Sequence, residues 1–235
     1  MLKASNVRLN KDCSFGEGGF TVIELVVAAL LSLIVMSGIY SVYSSQQKSY
    51  IVREQITVMQ QNLRAGMVVM TGDIRMAGYV HPFITPAATP GILNTSTNSK
   101  LEFTLLADRS ENPSPTATAL ETITYNWVDF DGDGDKDLVK DVHDGTGNKL
   151  ITENVDWLDF EYIDINDAII DPSITPDAVM SIQVTMVVKT GKGDPGYTDT
   201  NTYANQRKTR SFPPANDNFR RRCLSREIKC RNLNI

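Results

Sequence analysis

Gly16-Glu17-Gly18-Gly19-Phe20-Thr21-Val22-Ile23-Glu24 is the stretch on which the reading of this chain turns. A short polar leader ends in glycine, and a long apolar segment begins at once with Phe20. Glu24 is the only charged residue in positions 20–47. A run of about 20 such residues crosses a hydrocarbon core roughly 30 Å thick as a helix. A lone carboxylate inside it costs on the order of 2.5–3.5 kcal/mol on insertion scales. Such a charge is tolerated in an apolar bundle when a cation meets it. An ordinary secretory signal is cut after its apolar stretch, at small residues, whereas here the glycine comes first. The plain alternative is a signal anchor with one stray glutamate.

Outward from that segment, Val52, Ile56, Met59, Leu63, Met67, Met70, Ile74 and Ala77 recur at steps of three and four. This is one apolar stripe on a continuing helix, and it predicts packing on the chain's own sheet. Gly66 and Gly72 weaken that helix and Gly78 is expected to stop it. Pro82, Pro86, Pro90 and Gly91 then read as a loop. Beyond residue 98 the period falls to two. Leu101, Phe103 and Leu105, then Ile123, Tyr125 and Trp127, then Leu158, Phe160 and Tyr162, then Met180 through Val188 alternate with polar residues. Those runs predict strands with one buried face, separated by turn-rich stretches at 113–118, 129–137, 144–148 and 191–196. Residues 191–218, rich in Gly, Pro and polar side chains, read as a loop with some mobility.

The chain has 235 residues and a net charge of −5, unevenly placed. Lys3, Arg8 and Lys11 make the leader basic and favour a cytoplasmic N-terminus, with the body sent across the membrane. From residue 206 onward nine Lys and Arg face only Asp217 and Glu227, so the body before them is strongly acidic. A basic tail suits a neighbouring subunit or nucleic acid; pairing within the chain is the preferred reading. Cys13 lies in the leader. Cys223 and Cys230 remain, and in an oxidising compartment a pair so placed is expected to form a disulfide. A straight strand would hold those two sulfurs about 20 Å apart, so the bond requires a turn between them.

The Gly19–Phe20 junction with Glu24 resembles the processing site of type IV prepilins and pseudopilins. The resemblance implies cleavage by prepilin peptidase between Gly19 and Phe20, N-methylation of Phe20, and docking of Glu24 against the freed amine of a neighbouring subunit. Asp73-Ile74-Arg75-Met76-Ala77-Gly78-Tyr79 resembles the signature of PilW-type minor pilins. The series 123–125, 138–140, 150–155 and 158–162 resembles the strand ladder that those proteins share with J-type pseudopilins of type II secretion. Cys230-Arg231-Asn232-Leu233 is similar to the Arg-Asn ending of both.

The expected fold is therefore α+β and pilin-like: a cleaved leader (1–19), a membrane and assembly half-helix (20–47), an amphipathic half-helix (48–78) and a β-rich periplasmic domain (79–235). The resemblance implies a minor pilin that helps prime a type IV pilus, located in the inner membrane and then in the pilus. Its partners would be other minor and major pilins, prepilin peptidase and the inner-membrane assembly platform. A J-type pseudopilin, or a pilus-tip adhesin or DNA-binding subunit, is the alternative.

One loop stands outside that pattern. Asp129, Asp131 and Asp133 with Gly134 fill the first, third, fifth and sixth places of a calcium loop. Asp135 would offer its backbone carbonyl and Asp137 a direct or water-mediated contact. The twelfth place, where a bidentate glutamate is expected, holds Lys140. The same residues also read as a solvated acidic hairpin turn, because Asp-Gly pairs favour turns. Ca²⁺ is the one cofactor that the chain's residues suggest, and none is required. The two histidines, His81 and His143, read as surface residues, and no nucleophile elbow or phosphate loop occurs, so no enzymatic role is expected.

Overall fold

The computed structural model describes residues 19–80, 88–106 and 120–233. Residues 1–18 of the leader, His81, Pro82, Pro86 and the turn at 113–118 lie outside the described residues. The chain divides into two compact units, Met1–Tyr50 and Ile51–Ile235.

The first unit is the beginning of a helix, α1 (Val22–Met76). It is apolar all round, and its large side chains from Val22 to Tyr50 stand exposed. Among the described residues this is the one helix long and apolar enough to cross a membrane, and none of its most apolar window is buried.

The second unit is built on the remainder of α1 and three antiparallel sheets. The first sheet has the order β1 (Leu101–Leu105), β2 (Glu121–Val128), β3 (Asp137–Asp141) and β4 (Lys149–Thr152). In the second, β10 (Arg221–Lys229) lies beside β7 (Ser181–Lys189), then β5 (Val155–Ile163), then β6 (Ile169–Ile170). β8 (Tyr203–Ala204) and β9 (Ser211–Phe212) make a small hairpin. The fold is α+β, as the change of period from 3.6 to two implies.

Met59, Leu63, Met67, Met70, Ile74 and Ala77 of the expected stripe are buried in one core. Their partners come from both large sheets: Phe103 and Tyr125 from the first, Phe160, Val184 and Met186 from the second. Gly66 has a tertiary reason for its lost propensity. A Cβ there would stand 2.3 Å from Thr152 Oγ1, so only glycine lets the helix approach β4 this closely. Gly78 takes φ +76° just past the helix end and donates its N–H to Thr104 O, which ties the helix exit to β1.

Two expectations change here. β7 is buried at every position, not on one face alone. On that side residues 191–218 pack on the flanking strands, where Arg210 meets Asp159 and Glu161 of β5 and Asp199 and Asp217 meet Arg221 of β10. The tail also forms a strand. Its residues, Arg221 to Lys229, show little apolar alternation, yet β10 pairs with β7 along its whole length. Strand formation there comes from the neighbouring ladder rather than from the chain's own pattern.

Candidate functional site

The N-terminal site begins with Phe20, 91% exposed. Thr21 caps α1. Glu24 accepts from the Thr21 N–H and from its hydroxyl, both at 2.9 Å, while the Glu24 N–H donates to Thr21 Oγ1 at 3.3 Å. This is a reciprocal capping box, Thr-x-x-Glu. Sequence reasoning gave Glu24 a role between subunits and missed this local one, although the Thr21–Glu24 spacing signals it. All three bonds use Oε2 or the Glu24 N–H, and none uses Oε1.

The acidic loop joins β2 to β3. Asp129, Asp131 and Asp133 each place one carboxylate oxygen within 4.8 Å of the others, and all three are exposed. Asp129 accepts from the N–H groups of Gly132 (2.7 Å) and Gly134 (3.1 Å), and both glycines have positive φ. Asp135 and Asp137 are placed differently. The Asp135 carboxylate meets Lys189 Nζ through Oδ1 at 2.6 Å and is not among the three grouped carboxylates. Asp137 is buried and accepts from the N–H groups of Asn154 (3.0 Å) and Phe130 (3.3 Å). Burial raises its carboxyl above the ordinary range, and the neighbouring Asp131 and Asp133 add to that. Lys140 is committed elsewhere. Its Nζ meets Asp73 Oδ2 on α1 at 2.5 Å, and the Tyr125 hydroxyl donates to the same oxygen. Burial, then the charge and hydrogen bond of Asp73, raise the Tyr125 hydroxyl far above its usual value.

Four of the nine tail cations, Arg207, Arg210, Arg220 and Arg221, make ion pairs inside the second unit. Arg221 reaches Asp156 (2.6 Å), Asp217 (2.6 Å) and the fully buried Asp199 (3.3 Å). Arg220 meets Asp194 at 2.7 Å, and Arg207 meets Asp167. Arg210 lies between Asp159 (2.9 Å) and Glu161 (3.5 Å). The hydrogen bond from Arg221 holds Asp217 below the ordinary carboxylate range, and that from Arg220 does the same for Asp194. Burial acts the other way on Asp159, which is raised. These four arginines pair with Asp156, Asp159, Glu161, Asp167, Asp194 and Asp199 of the acidic body, in line with the reading preferred from composition for that part of the tail.

The expected Cys223–Cys230 disulfide is corrected. Both thiols are free. β10 runs straight through the interval, with Cys223 opposite Val187 and Cys230 donating its N–H to Met180 O. Seven residues of extended strand separate the pair by roughly 20 Å, against the limit of about 7 Å between Cα atoms for a bond. The required turn is absent because β7 holds this segment in register. Burial pushes the Cys230 thiol up to about 12 and raises that of Cys223 as well, so both stay protonated near neutrality. His143 hydrogen-bonds Thr124 Oγ1 on β2 at 2.8 Å and lies 3.9 Å from Asp141 Oδ2.

No family model matches this chain, and no curated protein matches it. Among solved structures it is similar to a type IV-like pilin from Thermus thermophilus. The two share 13% identity, and the match covers 74% of this chain and 97% of that one, with a TM-score of 0.44. The superposition is loose, so the α+β architecture rests on the helix and strands described above.

Proposed function

We propose that this chain is a type IV pilin-related structural subunit, a PilW-type minor pilin made as an inner-membrane precursor with its body in the periplasm. Prepilin peptidase cuts between Gly19 and Phe20, Phe20 is methylated, and α1 then packs with the helices of other minor and major pilins at the assembly platform. The observation that carries this reading is an exposed apolar helix whose single carboxylate stands four residues after the Gly19–Phe20 junction. A second feature supports it. Within the second unit, the outward face of α1 is also partly apolar, with Val58, Val68, Val69 and Met76 exposed. A solvated helix would place charges there; a helix that packs on others has use for the apolar groups.

The first test is the N-terminus of the processed protein: methylated Phe20 is expected, and any other start removes the reading. The second separates the two roles of Glu24. Gln suits a capping box as well as Glu does, but carries no charge. Incorporation into pili is therefore expected to fall in both Glu24→Gln and Glu24→Ala, with membrane insertion intact. Normal incorporation of Glu24→Gln would reduce Glu24 to a helix cap. If deletion abolishes exoprotein release and leaves pili intact, the subunit is the J-type pseudopilin instead.

The same reading gives the acidic loop to a calcium ion, with Asp129, Asp131 and Asp133 as carboxylate ligands, the Asp135 carbonyl as a fourth and Asp137 acting through water. Lys140 cannot supply the bidentate ligand expected at the twelfth place, so weak affinity is expected. Titration calorimetry with millimolar Ca²⁺ tests it, and absence of heat eliminates the site.

A further inference from the structure

The polar layer of the second sheet leaves a small set of groups unanswered. Glu161, Gln183 and Glu227 stand side by side across β5, β7 and β10, because Glu161 pairs with Gln183 and Gln183 with Glu227 in the strand registers. Glu161 and Gln183 are each 1% exposed. Above them lies the β8–β9 hairpin, which contributes Asn205, Thr209 and Arg210. Glu161 Oε1 is well served: the Thr209 hydroxyl donates to it and Arg210 Nη2 lies 3.5 Å away. Glu161 Oε2 and both polar atoms of the Gln183 amide have no hydrogen-bond partner among the described residues. Arg210 Nη1 is 2.9 Å from Asp159 Oδ1 but directs no hydrogen bond at it. Glu227 is occupied, accepting from the Ser181 hydroxyl at 2.9 Å.

Buried polar groups are almost always hydrogen-bonded, and these unanswered ones sit on adjacent strands at a single spot. Glu161 Oε2 and Gln183 Nε2 are natural partners, an acceptor beside a donor, yet they do not meet. We infer that the sheet and the β8–β9 hairpin enclose an internal hydration site, where ordered water bridges Glu161 Oε2 and the Gln183 amide. The chemistry selects water over an ion. A metal cation would face the N–H groups of Gln183 and the guanidinium of Arg210. An anion would face Asp159, Glu161 and Glu227. Water both donates and accepts, and buried waters typically make about three hydrogen bonds to otherwise unpartnered groups. The hairpin is thus joined to the sheet partly through solvent.

The test is a crystal structure of the detergent-solubilised full chain at a resolution that shows ordered water, with a second crystal soaked in Tl⁺. The expected result is water within hydrogen-bonding distance of both Glu161 Oε2 and the Gln183 amide, with no anomalous peak there. A direct Gln183–Glu161 bond without water, or a Tl⁺ peak between them, overturns the inference. Gln183→Leu provides a second readout. The water is expected to be lost while the β8–β9 hairpin keeps its place, and a water unmoved in that variant would show that Gln183 is not its ligand.

Discussion

β7 has two faces sealed by opposite means. Ile182, Val184, Met186 and Val188 point into the apolar core under α1. Ser181, Gln183, Thr185 and Lys189 point the other way, and they are buried just as deeply. The first face is closed by area: any side chain of the right size serves, because apolar burial has no direction. The second is closed by directed bonds, Thr185 to Ser225 at 2.7 Å and Lys189 to Asp135 at 2.6 Å, with the Arg221 cluster at the edge. Directed contacts fix one arrangement of residues 191–218 but fail sharply when one member is removed.

Four measurements would break or sharpen that contrast, the first, second and fourth read by denaturant unfolding of the solubilised full chain through Trp127 and Trp157. Arg221→Ala should cost the most, about 3–5 kcal/mol, because Asp199 is left charged and buried without its cation. A cost under about 1 kcal/mol would mean that the polar face contributes little. Leu158→Ala, on the apolar face, should cost about 2–5 kcal/mol according to how far the core relaxes.

Acid should separate the faces without mutation. Asp194 and Asp217 have lowered folded pKa values, so each contributes stability that is complete above the unfolded value near 3.9 and lost as pH falls through the folded one. Asp159 is raised, so its penalty as a buried carboxylate is relieved on acidification and opposes that loss. Limited proteolysis should therefore reach 191–218 below about pH 4 while the β5–β7 ladder stays protected; simultaneous loss of both would show one cooperative layer. Ser225→Ala should have the smallest effect, about 0.5–1.5 kcal/mol, as the Thr185 hydroxyl loses its partner.

The same contrast explains what could be read in advance. The helical stripe from Met59 to Ala77 and the alternation in β1, β2, β5 and β7 mark apolar faces, and apolar faces leave a period in the chain. β10 leaves none, because its residues satisfy directed contacts, some with partners far along the chain: Arg221 bonds Asp199 and Asp156, 22 and 65 positions away. Residues 191–218 looked like a loop for the same reason. The cysteine pair misled because spacing along a chain says nothing about whether a ladder holds the interval straight. At the N-terminus, the Phe20 junction, the apolar run and the Thr21–Glu24 spacing are all local and were open to reading.

Local and periodic features therefore came from the sequence alone: an apolar helix with one carboxylate, an amphipathic continuation, a β-rich body and an acidic Asp-Gly loop. Only the tertiary structure decided that the tail is a strand, that Cys223 and Cys230 are held apart, that Gly66 meets β4, and that β7 has a second buried face. The physical reason is range. Burial imposes a period on neighbouring residues, whereas hydrogen bonds and ion pairs between distant segments impose none.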